Sequence, residues 1–437
     1  MNTPLRRIVQ WSSTLKISTL SRFHKQQQCR SMATAKEAAP RSTIHVLGSG
    51  SLGLLMASSI RRSNPTNPSA VTVLLRPHHK ERVLSPRELR KVFRQPQGAG
   101  FVPPPQSIIV ALQPYSNQIK SANIQLIDLS AQLIGDESTS DQPYTEIKTL
   151  LLTTKAQDAV AAVQSVLPLM DKKASRIIVL SNGALAIQEH LASIVHPSTS
   201  IVLASTYHGA HRGINEQELA RLQLSDSQRQ YLYPLVHAGL GYTYVEKGHD
   251  DVVQILEEAG LRPCALPINE MKLMLWKKLA ANCVINPLTA IFKCRNGALL
   301  ITYQIETAWK TLITTNKANK KEIPWETCQD LMADVIKEVS TIALAETRHM
   351  TDIDVDELSP ERIHLFVQAV ISETAANHSS MLQDIFAGRR GTEIDFLNGY
   401  IQDIGKSKHG IQTPANSFLC SQVNQLLQTN NSNVNIL

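Results

Sequence analysis

The sequence predicts an α/β protein in two parts: an N-terminal domain on a parallel, doubly wound sheet, then a mainly α-helical C-terminal domain. Three observations predict it. Short β-branched apolar runs alternate with helical segments from Thr43 to Ser205. The first two runs bracket a glycine-rich turn that opens a helix. Beyond Asp250 strand texture fades and apolar residues recur at helical spacing. At 437 residues the chain is long enough for two cores. The segments expected are a leader at 1–40, the sheet domain at 41–267 and the helical domain at 268–437.

Thr43–Leu47 is the first expected strand, Leu54–Ile60 its helix and Val71–Leu75 the second strand. Ser107–Leu112 and Asn123–Leu129 are expected strands in a Pro- and Gln-rich elaboration of the first domain, and 135–143 a polar loop. Glu146–Thr154, Arg176–Leu180 and Ser200–Ser205 read as strands separated by helices Ala156–Leu167 and Ile187–Ile194. A polar stretch at 215–230 precedes an added strand, Gly241–Val245. The expected helices beyond are Asp251–Ala259, Met271–Ile285, Ile305–Ala318, Cys328–His349, Pro360–Ala376 and Glu393–Ser407, with a frayed Asn-rich end.

The formal net charge of +7 suggests nucleic acid until it is located. Arg6, Arg7, Lys16, Arg22, Lys25, Arg30 and Lys36 carry all of it, with no Asp or Glu among them. The remaining 37 basic residues balance 37 acidic ones, which excludes an electrostatic case for nucleic-acid binding by the globular part. A basic, acid-free, Ser-rich leader has the composition of a mitochondrial transit peptide, so the matrix is the expected location. A basic tail on a cytoplasmic protein, with Met32 as start, is the alternative. No apolar run is long enough for a membrane span. Six scattered cysteines form no C-x-x-C pair, and no metal site is expected.

Gly48-Ser49-Gly50-Ser51-Leu52-Gly53 fits G-x-G-x-x-G. The pattern is weak alone, but here it leaves an apolar strand and enters a helix. Gly48 permits the turn, Gly50 lets backbone approach a pyrophosphate, and Gly53 lets helix and strand pack closely. The domain is therefore of Rossmann type and binds a dinucleotide. An NAD site wants a carboxylate after the second strand. Arg76 stands there instead, followed by His78, His79, Lys80 and Arg82, which suits the 2′-phosphate of NADP(H). Lys155 and Asn182 follow two later strands, where ligands of such sheets bind.

In the helical domain Lys278, Asn282 and Asn286 are spaced i, i+4, i+8, one face of an otherwise apolar helix. One cation and two amides in line need polar partners, and a ligand in a cleft supplies them. An exposed face is the plainer reading, but a helix this apolar belongs in a core.

With these residues in hand, the chain resembles the ketopantoate reductase (2-dehydropantoate 2-reductase) family. The resemblance rests on Gly48–Gly53, Thr154-Lys155-Ala156-Gln157, Ser181-Asn182-Gly183, Lys278 to Ala290 with Asn296-Gly297, and Ser379 to Asp384 with Thr392 to Asp395. It implies that Lys278 is the catalytic proton donor, and that Asn282, Asn286, Asn296 and Ser380 hold the substrate. It implies that Glu393 contacts cofactor and reacting centre, that Lys155 and Asn182 lie near the nicotinamide, and that Arg76 faces the adenosine phosphate. It also implies a Rossmann domain and a helical domain with the active site between them.

The expected activity is NADPH-dependent reduction of 2-dehydropantoate to pantoate, in pantothenate and coenzyme A biosynthesis. The alternatives are another NADP-dependent 2-oxo or 3-hydroxy acid dehydrogenase of the same plan, or a non-catalytic NADP-binding protein. The expected partner is a small 2-oxo acid, with neither nucleic acid nor membrane, and a homodimer is left open.

Overall fold

A computed structural model describes residues 43–64, 66–67, 70–75, 106–113, 126–133, 146–212, 232–318, 323–389 and 391–432. The leader, the cationic cluster from Arg76, and the loops at 135–143 and 215–230 lie outside the described residues. The chain divides into two compact units between Leu275 and Trp276. That division lies within a helix whose first residue, Ile268, opens the expected helical domain.

The first unit is one eleven-stranded sheet. Its strands are β1 (Ile44–Leu47), β2 (Val71–Leu75), β3 (Gln106–Gln113), β4 (Leu126–Leu133), β5 (Thr149–Leu152) and β6 (Arg176–Val179). They continue with β7 (Ser200–Thr206), β8 (Gly209–Arg212), β9 (Leu232–Gly239), β10 (Thr243–Glu246) and β11 (Pro263–Leu266). The order is β11-β10-β7-β6-β5-β1-β2-β4-β3-β9-β8. The run from β7 to β3 is parallel throughout. The Pro- and Gln-rich segment extends this run: β4 pairs with β2, and β3 lies beyond it. Antiparallel pairing begins at the margins, where β9 joins β3 and β10 joins β7. β8, β9 and β11 escaped the sequence reading, because Val236 is the only β-branched residue among the three.

Helix α1 (Ser51–Ser63) buries Leu54, Leu55, Met56 and Ile60 in a cluster with Ile44, Val46, Val73, Leu151 and Ile178. The pleat turns the alternate residues Leu47, Leu150, Leu152 and Val179 to the opposite face, where they are also buried. Helix α3 (Ala184–Ala192) packs on β6 and β7, and α2 (Ala156–Val166) packs on α3. Helix α4 (Asp250–Glu258) adds Val252, Ile255 and Leu256 to the first face. Both faces are thus covered, which explains why the strands read as unbroken apolar runs.

The second unit is helical. Helix α5 (Ile268–Phe292) enters it, followed by α6 (Thr302–Ala318), α7 (Cys328–Thr347), α8 (Pro360–Glu373), α9 (Ser380–Phe386), α10 (Asn398–Ile404) and α11 (Pro414–Ser432). A capping box of Thr327 and Asp330 starts α7. The Glu338 carboxylate accepts from the backbone N–H groups of Ala415 (2.8 Å) and Asn416 (3.0 Å), which holds an anion at the start of α11. The single helix expected over Glu393–Ser407 is three pieces: a 3₁₀ turn at Ile394–Phe396, α10, and a π turn at Gly405–His409. Gly405 opens the last where space is tight, since a Cβ there would stand 2.9 Å from Ile342 Cδ1 and 3.0 Å from the Ile411 carbonyl oxygen. Among the described residues no helix is long and apolar enough to cross a membrane.

Candidate active site

The glycine turn is built as its spacing requires. Gly48 has φ +122°, a conformation that side chains rarely adopt. A Cβ on Gly53 would lie 1.9 Å from the carbonyl oxygen of Gly48 and 2.4 Å from Thr153 Oγ1. Thr153 Oγ1 stands 3.2 Å from the Leu47 carbonyl oxygen and 3.1 Å from that of Gly48, so one hydroxyl joins the ends of β1 and β5. A Cβ on Gly50 would meet nothing within 4 Å. The turn is therefore tight where chain meets chain and open where a ligand's phosphate would approach. Gly50 heads α1 with no side-chain cap and no acidic residue in the first turn. Ser51, Leu52 and Gly53 therefore open the helix with N–H groups suited to an anion, and Ser49 is buried within the turn.

Leu47 pairs with Leu152, and Leu152 with Val179, so β1, β5 and β6 end side by side. This brings Gly48, Lys155 and Asn182 to one sheet edge. Lys155 heads α2, and Asn182 stands in the turn before α3. Ser181 Oγ donates to the Thr154 carbonyl oxygen at 2.6 Å and fixes these two ends together. Thr154 Oγ1 and Gln157 Oε1 are buried without a partner among the described residues. Buried polar atoms are nearly always satisfied, so orphans beside an open glycine cradle fit a bound dinucleotide. Arg76, the expected contact of its 2′-phosphate, lies outside the described residues.

In the second unit α5 carries the polar stripe. Lys278 and Asn282 are half-buried and Asn286 is buried, on a helix otherwise packed in apolar side chains. Burial lowers the Lys278 pKa from its usual value to about 8, and the nearby Glu393 carboxylate opposes that fall. Glu393 is itself buried, at the start of the Ile394–Phe396 turn. Lys277, one position earlier and so ~100° around the helix, is engaged elsewhere. Its Nζ lies 2.5 Å from Glu357 Oε2 and 5.1 Å from the centre of the Phe366 ring.

Of the other expected substrate residues, Ser380 is tied to this helix through its neighbour Ser379, and Asn296 follows the helix's end. Thr289 Oγ1 and Ser379 Oγ stand 2.7 Å apart, and Ser379 caps α9 by accepting from Leu382 N at 3.1 Å. Ser380, the first residue of α9, is thereby fixed to α5. Asn296 donates through Nδ2 to Thr374 Oγ1 at 2.9 Å, while its Oδ1 is buried with no partner among the described residues. Gly297 follows because a Cβ there would stand 2.7 Å from that of Ala375.

α5 continues through Pro287, where the sequence suggested an end near Ile285. Proline has no N–H, so the Cys283 carbonyl four residues earlier loses its helical donor. Asn398 replaces it: its Nδ2 donates to the Cys283 carbonyl oxygen at 2.9 Å. The same nitrogen reaches Asn416 Oδ1 at 2.9 Å, and Asn416 Nδ2 donates to Glu338 Oε2 at 2.8 Å. Sequence reasoning missed Asn398 and Thr153. For Asn398 the signal was a proline inside a helix pattern, which asks what takes up the freed carbonyl. For Thr153 it was a hydroxyl one residue past a strand beside the glycine turn.

Two family models match in register with this architecture. Ketopantoate reductase PanE/ApbA matches residues 44–217, and Ketopantoate reductase PanE/ApbA C terminal matches 270–314 and 308–427. A 2-dehydropantoate 2-reductase of Vibrio cholerae is 32% identical over 286 residues, 64% of this chain and 78% of the relative. One from Shigella flexneri is 29% identical over 320 residues, 71% of this chain and 83% of the relative. A PanE/ApbA family ketopantoate reductase structure from Ralstonia eutropha JMP134 aligns with a TM-score of 0.59 at 20% identity, over 89% of this chain and 100% of that one. D-mandelate dehydrogenase, solved with NADH and anilino(oxo)acetate, aligns at 0.56 and 19% identity, over 89% and 100%; both structures share the fold. The chain is an oxidoreductase of the ketopantoate reductase family, with NADP(H) as its cofactor.

Proposed function

We propose that the protein reduces 2-dehydropantoate to pantoate with NADPH, the step that feeds pantothenate and coenzyme A synthesis. The observation that carries this reading is Lys278. It is a lysine drawn down to a pKa of about 8 on a half-buried polar stripe, with a buried carboxylate beside it. The names of the curated relatives support the substrate.

Bound NADPH supplies the hydride. Gly48–Gly53 would receive its pyrophosphate, Lys155 and Asn182 its nicotinamide end, and Arg76 its 2′-phosphate. Lys278, as an ammonium, stabilises the negative charge that develops on the ketone oxygen and donates a proton to it from Nζ. Glu393 keeps that amine charged. Asn282, Asn286, Asn296 and Ser380 orient the acid. We extend the proposal to residues 1–36 as a matrix-import segment and to a homodimer as the assembly. A dimeric ketopantoate reductase from Staphylococcus aureus has the same fold, with a TM-score of 0.53 at 13% identity.

The test is consumption of NADPH by the purified chain with 2-dehydropantoate, beside NADH and a panel of other 2-oxo acids. Turnover with NADPH and 2-dehydropantoate, lost on Lys278→Ala by about 10²–10⁴-fold, is the expected result. Faster turnover of an aryl 2-oxo acid would transfer the assignment to a mandelate-type dehydrogenase. A fluorescent fusion of residues 1–36 and a sedimentation measurement check location and assembly.

A further inference from the structure

We infer that Asn398 is a positioning residue for the reaction, acting through the backbone of the helix that carries Lys278, Asn282 and Asn286. The inference rests on the reductase reading above. Cys283 lies between Asn282 and Asn286, so the carbonyl left without a donor by Pro287 belongs to the turn joining the two amides. Asn398, fully buried, closes that gap from another helix. Its amide is held in turn by Asn416, and Asn416 by Glu338. Glu338 also accepts from two backbone N–H groups at the start of α11. The chain of donors runs in one direction and ends on a carboxylate, which fixes the orientation of the Asn398 amide. Asn398 also begins α10, four residues after Ile394 and five after Glu393. One side chain thus sets the helix turn between the substrate amides while standing close in sequence to the carboxylate beside Lys278.

The proposal makes an unusual demand on Pro287. If Asn398 matters because it replaces a missing N–H, restoring that N–H should make it dispensable. Asn398→Ala, Pro287→Ala and the double variant form the test, in the full chain with NADPH and 2-dehydropantoate. Asn398→Ala is expected to lower kcat by about 10- to 100-fold, with KM for NADPH unchanged within about twofold. Adding Pro287→Ala is expected to recover most of the loss, and hydrogen exchange across 283–290 should slow in parallel. Lys277→Met, which loses the Glu357 pair, is the control for lost stability alone. A kcat for Asn398→Ala equal to the wild-type value, or a double variant no better than the single, overturns the proposal. If Asn398→Ala does not fold, Asn398→Ser takes its place in the cycle, and the same failure of rescue is decisive. Wild-type protein inactive toward 2-dehydropantoate removes the substrate reading instead. The cycle is then read with whichever 2-oxo acid of the panel is reduced.

Discussion

The carbonyl oxygen of Gly48 occupies the space that a side chain on Gly53 would need, with only 1.9 Å between it and the Cβ position. The two glycines are thus one packing unit, while Gly50 between them faces open space. Gly53→Ala should destabilise the first unit by about 1–3 kcal/mol or more through overpacking against backbone. Gly50→Ala should leave the melting temperature unchanged and weaken NADPH binding by about tenfold, roughly 1.4 kcal/mol. Thermal melts with fluorescence titration of NADPH separate the two. Equal effects of both substitutions on stability would contradict the division of roles.

Lys278 has a pKa of about 8, drawn down by burial and held up by Glu393. Ketone reduction needs the ammonium, so kcat/KM for reduction should fall as pH rises through that value. Glu393→Gln removes the group that raises the pKa, so the alkaline limb should move to lower pH. Rate profiles against pH for both proteins decide this, and a limb that stays in place in the variant would remove Glu393 from the electrostatics of the lysine.

Neighbouring lysines offer a sharp contrast. Lys278→Met should keep the fold and lose about 10²–10⁴ in turnover. Lys277→Met breaks the 2.5 Å pair with Glu357 and should lower the melting temperature while leaving turnover within about twofold. Paired melts and steady-state rates test both, and the reverse pattern would place the wrong lysine at the chemistry.

Position 45 makes the sheet acid-sensitive. His45 is buried in the central strand with neither ring nitrogen partnered among the described residues, and burial lowers its pKa from 6.5 to about 4. The folded state therefore favours the neutral ring. Its stability is full above the unfolded value of 6.5 and is lost as pH falls from there toward 4. His45→Leu should flatten this dependence, gaining up to about 3 kcal/mol at the acid end. Denaturant unfolding across that window measures it, and parallel curves for the two proteins would refute the assignment.

The sheet core and its edge were legible because hydrophobic period and turn chemistry act locally. Gly48, Gly50 and Gly53 each meet the surroundings their spacing implies, and β1, β2, β5, β6 and β7 lie where the apolar runs are. Marginal strands were not legible: β11 (Pro263–Leu266) holds no β-branched or aromatic residue and takes its place from β10. The expected single helix over Glu393–Ser407 is divided into a 3₁₀ turn, α10 and a π turn, departures that apolar spacing does not encode. Lys278 was marked by its helical spacing with Asn282 and Asn286, but Glu393 was readable only through the resemblance, because 115 residues separate two groups that meet only in the folded unit. Asn398 was invisible for the same reason, being a donor to a carbonyl that only a proline makes available.

The polar stripe of α5 has a consequence for how this segment can change length. Each residue advances a helix by ~100°, so the eight-residue interval from Lys278 to Asn286 acts as a screw thread. Inserting or deleting one residue inside it would rotate the cation out of line with the amides, though every side chain survived. This helix has a ruler built into it.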